Sequence, residues 1–147
     1  MNLAQQQFAR LERYLHRIGR AGTTDEDYDD LLSFFMHAWH LADWAANDPT
    51  VGRSLRDIQN DAKQYPAIEA CAGLANGIKH VTLTRPSRIP PQITNKDIQA
   101  YEGSKAPSAT ASYQITLPDG LMRNALTLAQ EVVRDWRALI SGYGVSV

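Results

Sequence analysis

Two pairs of polar side chains are spaced so that the members of each pair could act together in acid–base chemistry or anion binding. His40 and Asp43 are three residues apart, and Asn76 and His80 are four residues apart. Side chains at these spacings are neighbours on the surface of an α-helix, so each pair faces one direction. If the two helices lie side by side, the carboxylate can hold one tautomer of an imidazole or pair with the ammonium group of Lys79.

Two tryptophans flank the first pair and would supply an apolar wall. Trp39 and Trp44 belong to the same short stretch of sequence. Apolar surroundings shift the pKa values of adjacent ionisable groups, and an indole ring stacks on planar ligands. The predicted site therefore has His80 and Lys79 as candidate catalytic residues. The candidate ligand-binding residues are His40, Asp43, Trp44 and Asn76.

The same residues also have a purely structural interpretation. Asp43 could satisfy Lys79 or a backbone donor inside a buried polar network, and the two tryptophans could belong to the core. Such a network perturbs pKa values as a catalytic site does. The sequence therefore leaves both interpretations open.

A metal centre and a nucleophilic enzyme have weaker support. One conceivable mononuclear metal site uses His37, His40, Asp43 and His80. The di-metal sites of helical bundles need several inward-facing glutamates, whereas only Glu69 and Glu131 lie well inside predicted helices. No serine lies in a nucleophile elbow, and no glycine-rich phosphate loop is present. We expect no metal and no cofactor.

The helix that must position the first pair is predicted from about residue 30 to 47, and it organises the chain. Its apolar residues share one broad face: Leu31, Phe34, Phe35, Ala38, Leu41, Ala42 and Ala45. Its other side has no ordinary row of Lys, Glu or Gln side chains. We therefore expect this helix to be central and to present its histidines and Asp43 to another element.

The remaining elements follow from apolar periodicity. Further helices are predicted over about residues 3–20, 51–65, 67–80 and 121–141. Strict alternation predicts a strand over 109–117, and 97–101 is preferred to 81–84 as its partner because it forms a local hairpin. The expected fold is predominantly all-α: an up-and-down bundle of four to five helices. It forms a single domain over 1–147, with a small β-hairpin within about 92–117, before the last helix.

Composition agrees with one globular domain. The chain has 147 residues, of which 44% are hydrophobic and 21% are charged, a size that buries a core without disulfides. A net charge of −1 gives no bulk attraction to nucleic acid or lipid, so anion binding would need a local patch. Cys71 is the only cysteine, and no leader or long apolar run is present. We expect a cytoplasmic protein that does not bind membranes.

The first predicted helix carries a stripe of arginines opposite its apolar face: Arg10, Arg13, Arg17 and Arg20. An acidic segment, residues 23–30, follows at once. The simplest expectation is that these two charge blocks pair with each other. Contact between the arginines and nucleic acid is the alternative.

Several motifs together resemble a known group of proteins. They are Ala38–Trp44, Leu74–His80, Leu117–Gly120 and Val132–Trp136. They resemble small uncharacterised bacterial and phage proteins whose all-helical core is similar to HEPN-type domains, and the resemblance covers most of the chain. It implies an up-and-down helical bundle and frequent dimerisation. In active members it also implies a ribonuclease that uses an arginine and a histidine four to six residues apart.

The ribonuclease pattern is only partly present in this chain. No arginine lies within that window before His80, and Arg10 and His16 have the spacing but lie about 120° apart around the first helix. Three functions stay open. The first is a HEPN-like binding module whose polar pocket takes a nucleotide, RNA or another anionic group. The others are a metal-independent ribonuclease of toxin or defence type that uses His80, and a structural polar network in a protein-interaction domain.

Overall fold

A computed structural model describes the backbone of residues 1–19, 25–79, 92–101 and 108–147, and the side chains of 1–19, 28–77 and 113–147. The helices are α1 (Leu3–Ile18), α2 (Asp25–Ala46), α3 (Leu55–Ala62), α4 (Pro66–Lys79) and α5 (Ala125–Gly142). Between α4 and α5 lie the strands β1 (Gln92–Tyr101), β2 (Ser108–Thr116) and β3 (Met122–Asn124). The predicted, mostly helical fold with a hairpin before the last helix is confirmed.

Helix α2 is the centre of the helical core. It packs against α1, α3, α4 and α5. All seven of its predicted core residues are buried, with at most 3% of their surface exposed. Within the described ranges, no helix combines the length and the apolar character needed to cross a membrane.

Two parts of the chain supply hydrogen-bond acceptors to the N-terminus of helix α1. The Asn2 side chain accepts a hydrogen bond from the Gln5 N–H, and the Gln5 side chain accepts one from the Asn2 N–H. Asp48, in the turn after α2, accepts a hydrogen bond from the Ala4 N–H at 2.9 Å. Because first-turn N–H groups have no partner within the helix, the buried carboxylate fixes the start of α1 to the end of α2.

The predicted hairpin is present with the preferred partner strand. Strands β1 and β2 are antiparallel, and their register places Tyr101 opposite Ser108 and Ala100 opposite Ala109. The pairing extends beyond the predicted partner segment, to Gln92, with an irregularity between Ile93 and Asn95.

The end of the β region differs from the prediction, because the last helix starts at Ala125 instead of about residue 121. Residues 122–124 pair with β2 and make a third strand. Leu121, which fits the helical repeat of α5, is 62% exposed. Asn124 then caps the helix by accepting a hydrogen bond from the Thr127 N–H. Strand pairing with β2 therefore outweighs the helical periodicity of this segment.

Candidate functional site

A cleft of about 430 Å³ lies where α2, α3 and α4 meet. Its lining consists of Trp39, His40, Asp43, Trp44, Gln59, Ala75 and Asn76. Four of these are the predicted ligand-binding residues, so the structure brings together the parts of both predicted pairs that it describes. Those four side chains are half-buried, and a ligand from solvent can reach them.

Helical geometry explains why α2 supplies most of this lining. His40, Asp43 and Trp44 are spaced three and four residues apart and therefore share one edge of the helix. Asn76 reaches the cleft from α4, next to Ala75, which is 3% exposed. An alanine at that point leaves room for α2 and α4 to approach each other closely.

The four polar side chains of the cleft form no hydrogen bond or ion pair with any other described residue: His40, Asp43, Gln59 and Asn76. A structural network would show these groups bonded to each other or to the backbone. Within the described side chains, their donors and acceptors are instead open to water or to a ligand. The structural interpretation would therefore need residues beyond those described.

Each tryptophan of the cleft has a cation against its ring. The guanidinium carbon of Arg10 is 5.2 Å from the centre of the Trp44 ring. The Lys63 ammonium is 5.6 Å from the centre of the Trp39 ring. Both distances are within cation–π range. Positive charge therefore lies beside two walls of the cleft, although neither cation belongs to its lining.

A polar cluster joins α1 to α2 on the Arg10 side of Trp44. Gln7 is fully buried, and its amide donates a hydrogen bond of 2.9 Å to the His37 carbonyl oxygen. Its own oxygen accepts a hydrogen bond of 2.8 Å from Arg10. The Tyr14 ring stacks on the His37 ring at 5.1 Å. These contacts fix Arg10 and His37 relative to each other.

The surroundings of His37 favour its neutral form. Burial lowers the pKa of His37 from its ordinary value, and the nearby Arg10 and His40 lower it further. None of these causes involves a carboxylate. The cations described on the α1 side of Trp44 are Arg10, against its ring, and Arg13, three residues further along the helix.

Replacing Gln7 with leucine tests this cluster. We expect Gln7→Leu to lower the free energy of unfolding by about 1 kcal/mol, because it removes one hydrogen bond to His37 and one to Arg10. Urea unfolding measures the change. The matched control is Gln6→Leu, since Gln6 is exposed on the same helix. Equal losses in the two variants would contradict a role for the buried amide.

Lys79 and His80, the candidate catalytic residues, can be followed only in part. Lys79 is the last residue of α4, three residues beyond Asn76, and its side chain lies outside those described. His80 lies outside the described residues altogether. Their proposed roles stay predictions.

Two residues of this region were not predicted from the sequence. Gln59 lies on α3, whose polar side gives no signal that one amide faces a cleft. Arg10 was recognised only as part of a charged stripe. Its contact with Trp44 depends on how α1 packs against α2, and the repeat of α1 alone does not determine that packing.

A second cleft, of about 480 Å³, lies between α1 and α5. Its arginines are paired within the chain: Arg137 binds Glu12, and Arg134 binds Asp135. Exposed Gln130 also lines it. Because its positive charges are already balanced, this cleft is a weaker candidate for anion binding, and it provides control positions.

The described residues provide no site for a metal ion and no reactive thiol. Among the residues that the structure describes, no group of three or more His, Cys, Asp or Glu side chains is placed to hold a metal ion. Cys71 is fully buried and donates a weak hydrogen bond to the Phe35 carbonyl oxygen. Burial raises the pKa of its thiol, which disfavours the nucleophilic thiolate. Cys71 therefore serves as a small buried hydrophobe in the core.

The motifs that resemble HEPN-type proteins include the two helical segments on either side of the cleft. Ala38–Trp44 supplies its α2 wall, and Leu74–His80 contributes Ala75 and Asn76 from α4. The HEPN-like assignment stays a prediction based on these motifs. Comparison of the chain with models of known families, with curated proteins and with solved structures found no match.

Proposed function

We propose that this protein is a HEPN-like binding module that takes a nucleotide or a short RNA segment in the cleft between α2, α3 and α4. One observation carries the proposal: polar side chains with no described partner converge on a cleft that two tryptophans wall. Its volume of about 430 Å³ suits a small ligand, since ligand pockets usually measure roughly 300–1,000 Å³.

The lining residues match the chemistry of a nucleobase. An indole ring such as that of Trp44 can stack on a base. The amides of Gln59 and Asn76 each offer donors and an acceptor, the groups that read the edge of an unpaired base. Asp43 can accept a hydrogen bond from an amino or ribose hydroxyl group. Lys79 would add positive charge from the end of α4.

Calorimetric titration with nucleoside monophosphates and short single-stranded RNA tests the proposal. We expect Trp44→Ala to weaken binding by about 1–3 kcal/mol, which is the usual contribution of one base stacked on an aromatic ring. Asn76→Ala should weaken it less. Gln130→Ala, in the second cleft, serves as the control and should bind as the wild type does. Thermal unfolding of each variant verifies that it is folded.

Two results would overturn the proposal. One is a wild-type protein that binds neither mononucleotides nor RNA. The other is unchanged affinity in both Trp44→Ala and Asn76→Ala, which would place the ligand elsewhere.

The same RNA samples test the alternative, a metal-independent ribonuclease. Asn76, which lines the cleft, precedes His80 by four residues on the chain, and an imidazole there could act as general acid or base. Cleavage by the wild type that is lost in His80→Ala would support the enzyme. RNA that is bound but stays intact would support the binding module.

A further inference from the structure

We infer that the phosphate group of the ligand binds on the α1 side of Trp44, at an anion site formed by Arg10, Arg13 and His37. The inference rests on the proposed function and extends it, because it names the ligand class as a nucleoside phosphate monoester. It also gives the ligand an orientation. The base lies in the cleft and the phosphate lies over the edge of Trp44, away from the Lys79 end of α4.

No described acidic side chain balances the charge of this site. Five ion pairs join described residues, and none of them includes Arg10 or Arg13. Arg10 donates its hydrogen bond to the neutral amide of Gln7. By contrast, Arg17 on the same helix is paired with Asp30 at 2.7 Å. The expected pairing of the arginine stripe with the acidic segment therefore holds for Arg17, whereas Arg10 keeps its charge available.

The Arg10 guanidinium is already positioned for an anion. Its guanidinium carbon lies 5.2 Å from the centre of the Trp44 ring, and one terminal nitrogen donates a hydrogen bond to Gln7. A guanidinium has five N–H donors along the edge of its plane, and the bond to Gln7 uses one of them. That planar edge matches two oxygens of a phosphate. Because the side chain is held in the free protein, less conformational entropy is lost on binding.

Two neighbours of Arg10 complete the site: Arg13 adds positive charge, and His37 adds an imidazole that can hydrogen-bond to an anion. Arg13 is exposed and lies three residues further along α1, on an adjacent position of the helix surface. His37 faces Gln7, Arg10 and Tyr14 from α1 and lies near His40 on its own helix. Burial is the largest cause of the lowered pKa of His37, and Arg10 and His40 lower it further.

Trp44 links this site to the cleft. The same side chain lines the cleft and carries Arg10 against its ring. A nucleotide whose base enters the cleft would therefore contact the same indole ring that Arg10 lies against. In the alternative orientation of the ligand, the phosphate lies near Lys79 at the end of α4.

Calorimetry with matched ligands separates these orientations. The ligands are the four ribonucleosides and their 3′- and 5′-monophosphates, measured at low salt. The wild type should bind one monophosphate roughly tenfold or more tightly than its nucleoside, as a charge-assisted contact would produce. Arg10→Met should remove this advantage and leave nucleoside affinity unchanged. Methionine keeps an apolar side chain over Trp44, and Arg10→Lys should retain part of the advantage.

Arg17→Met, on the same helix and paired with Asp30 in the wild type, is the matched control, and it should leave the preference for the monophosphate intact. The inference is overturned if Arg10→Met retains the full preference, or if Lys79→Met alone removes it. In either case the binding of nucleosides and nucleotides by the wild type would still support the cleft as the ligand site. A wild type that binds none of these ligands overturns the proposed function, and this inference with it.

Discussion

Asp48→Ala is expected to lower the free energy of unfolding by about 2–3 kcal/mol, because it leaves buried donors without an acceptor. Asp48 is 2% exposed. One of its oxygens accepts a hydrogen bond from the Ala4 N–H, and the other accepts bonds from the Thr50 N–H and hydroxyl at 3.0 and 2.7 Å. The substitution therefore removes one of the hydrogen bonds that cap α1 and the side-chain hydrogen bonds that support the turn after α2.

The contribution of Asp48 to stability should decrease as the pH falls. Burial by itself raises the pKa of Asp48, but the hydrogen bonds from Ala4, Thr50 and Leu3 outweigh it, so the folded pKa lies below the ordinary 3.8. The unfolded chain therefore takes up the proton more readily. The contribution of Asp48 is complete well above pH 3.8 and is lost as the pH falls through the lowered folded value.

Urea unfolding between neutral and acidic pH measures both effects. The wild type should lose more stability than Asp48→Asn as the pH is lowered, because asparagine has no carboxylate to protonate. Asp29→Asn, at an exposed position of α2, is the control and should follow the wild type. If Asp48→Ala has the same stability as the wild type at neutral pH, the capping role is wrong.

Trp136→Ala is expected to lower the free energy of unfolding by about 3–5 kcal/mol, as large-to-small changes of aromatic core residues do. Trp136 is fully buried in α5 and is among the largest buried side chains of the core. Its indole N–H has no hydrogen-bond partner among the described residues. Trp136→Phe should therefore cost much less than alanine, since it leaves a smaller cavity and removes the unpaired donor.

Chemical unfolding of both variants measures the loss of free energy of unfolding. Gln130→Ala, at an exposed position of the same helix, is the control. The control should stay within about 0.5 kcal/mol of the wild type. Similar losses in Trp136→Phe and Trp136→Ala would contradict this account, because phenylalanine fills much of the space that alanine leaves empty.

The sequence predicts best those elements whose residues are periodic and whose partners are local. The apolar face of α2 and the β1–β2 hairpin are of this kind. Strand β3 was missed because Leu121 and its neighbours also fit a helical repeat, and only the presence of β2 decides between the two structures. Local periodicity does not contain that information.

The residues of the candidate site also fall into those that the sequence predicts and those that it does not. His40, Asp43 and Trp44 were predictable because helical spacing places them on one edge of one helix. Their meeting with Asn76 was a hypothesis about two helices lying together, and the described residues bear that hypothesis out. The contact of Arg10 with Trp44 was not predictable, because it depends on the rotation of α1 against α2.

The distribution of the three tryptophans gives the protein a natural optical reporter. Trp39 and Trp44 line the cleft beside Lys63 and Arg10, whereas Trp136 is sealed in the core. Emission from the outer two indoles responds to whatever enters between the helices, and emission from the inner one supplies a constant internal reference. Occupancy of the cleft can therefore be followed by intrinsic fluorescence, without an attached dye.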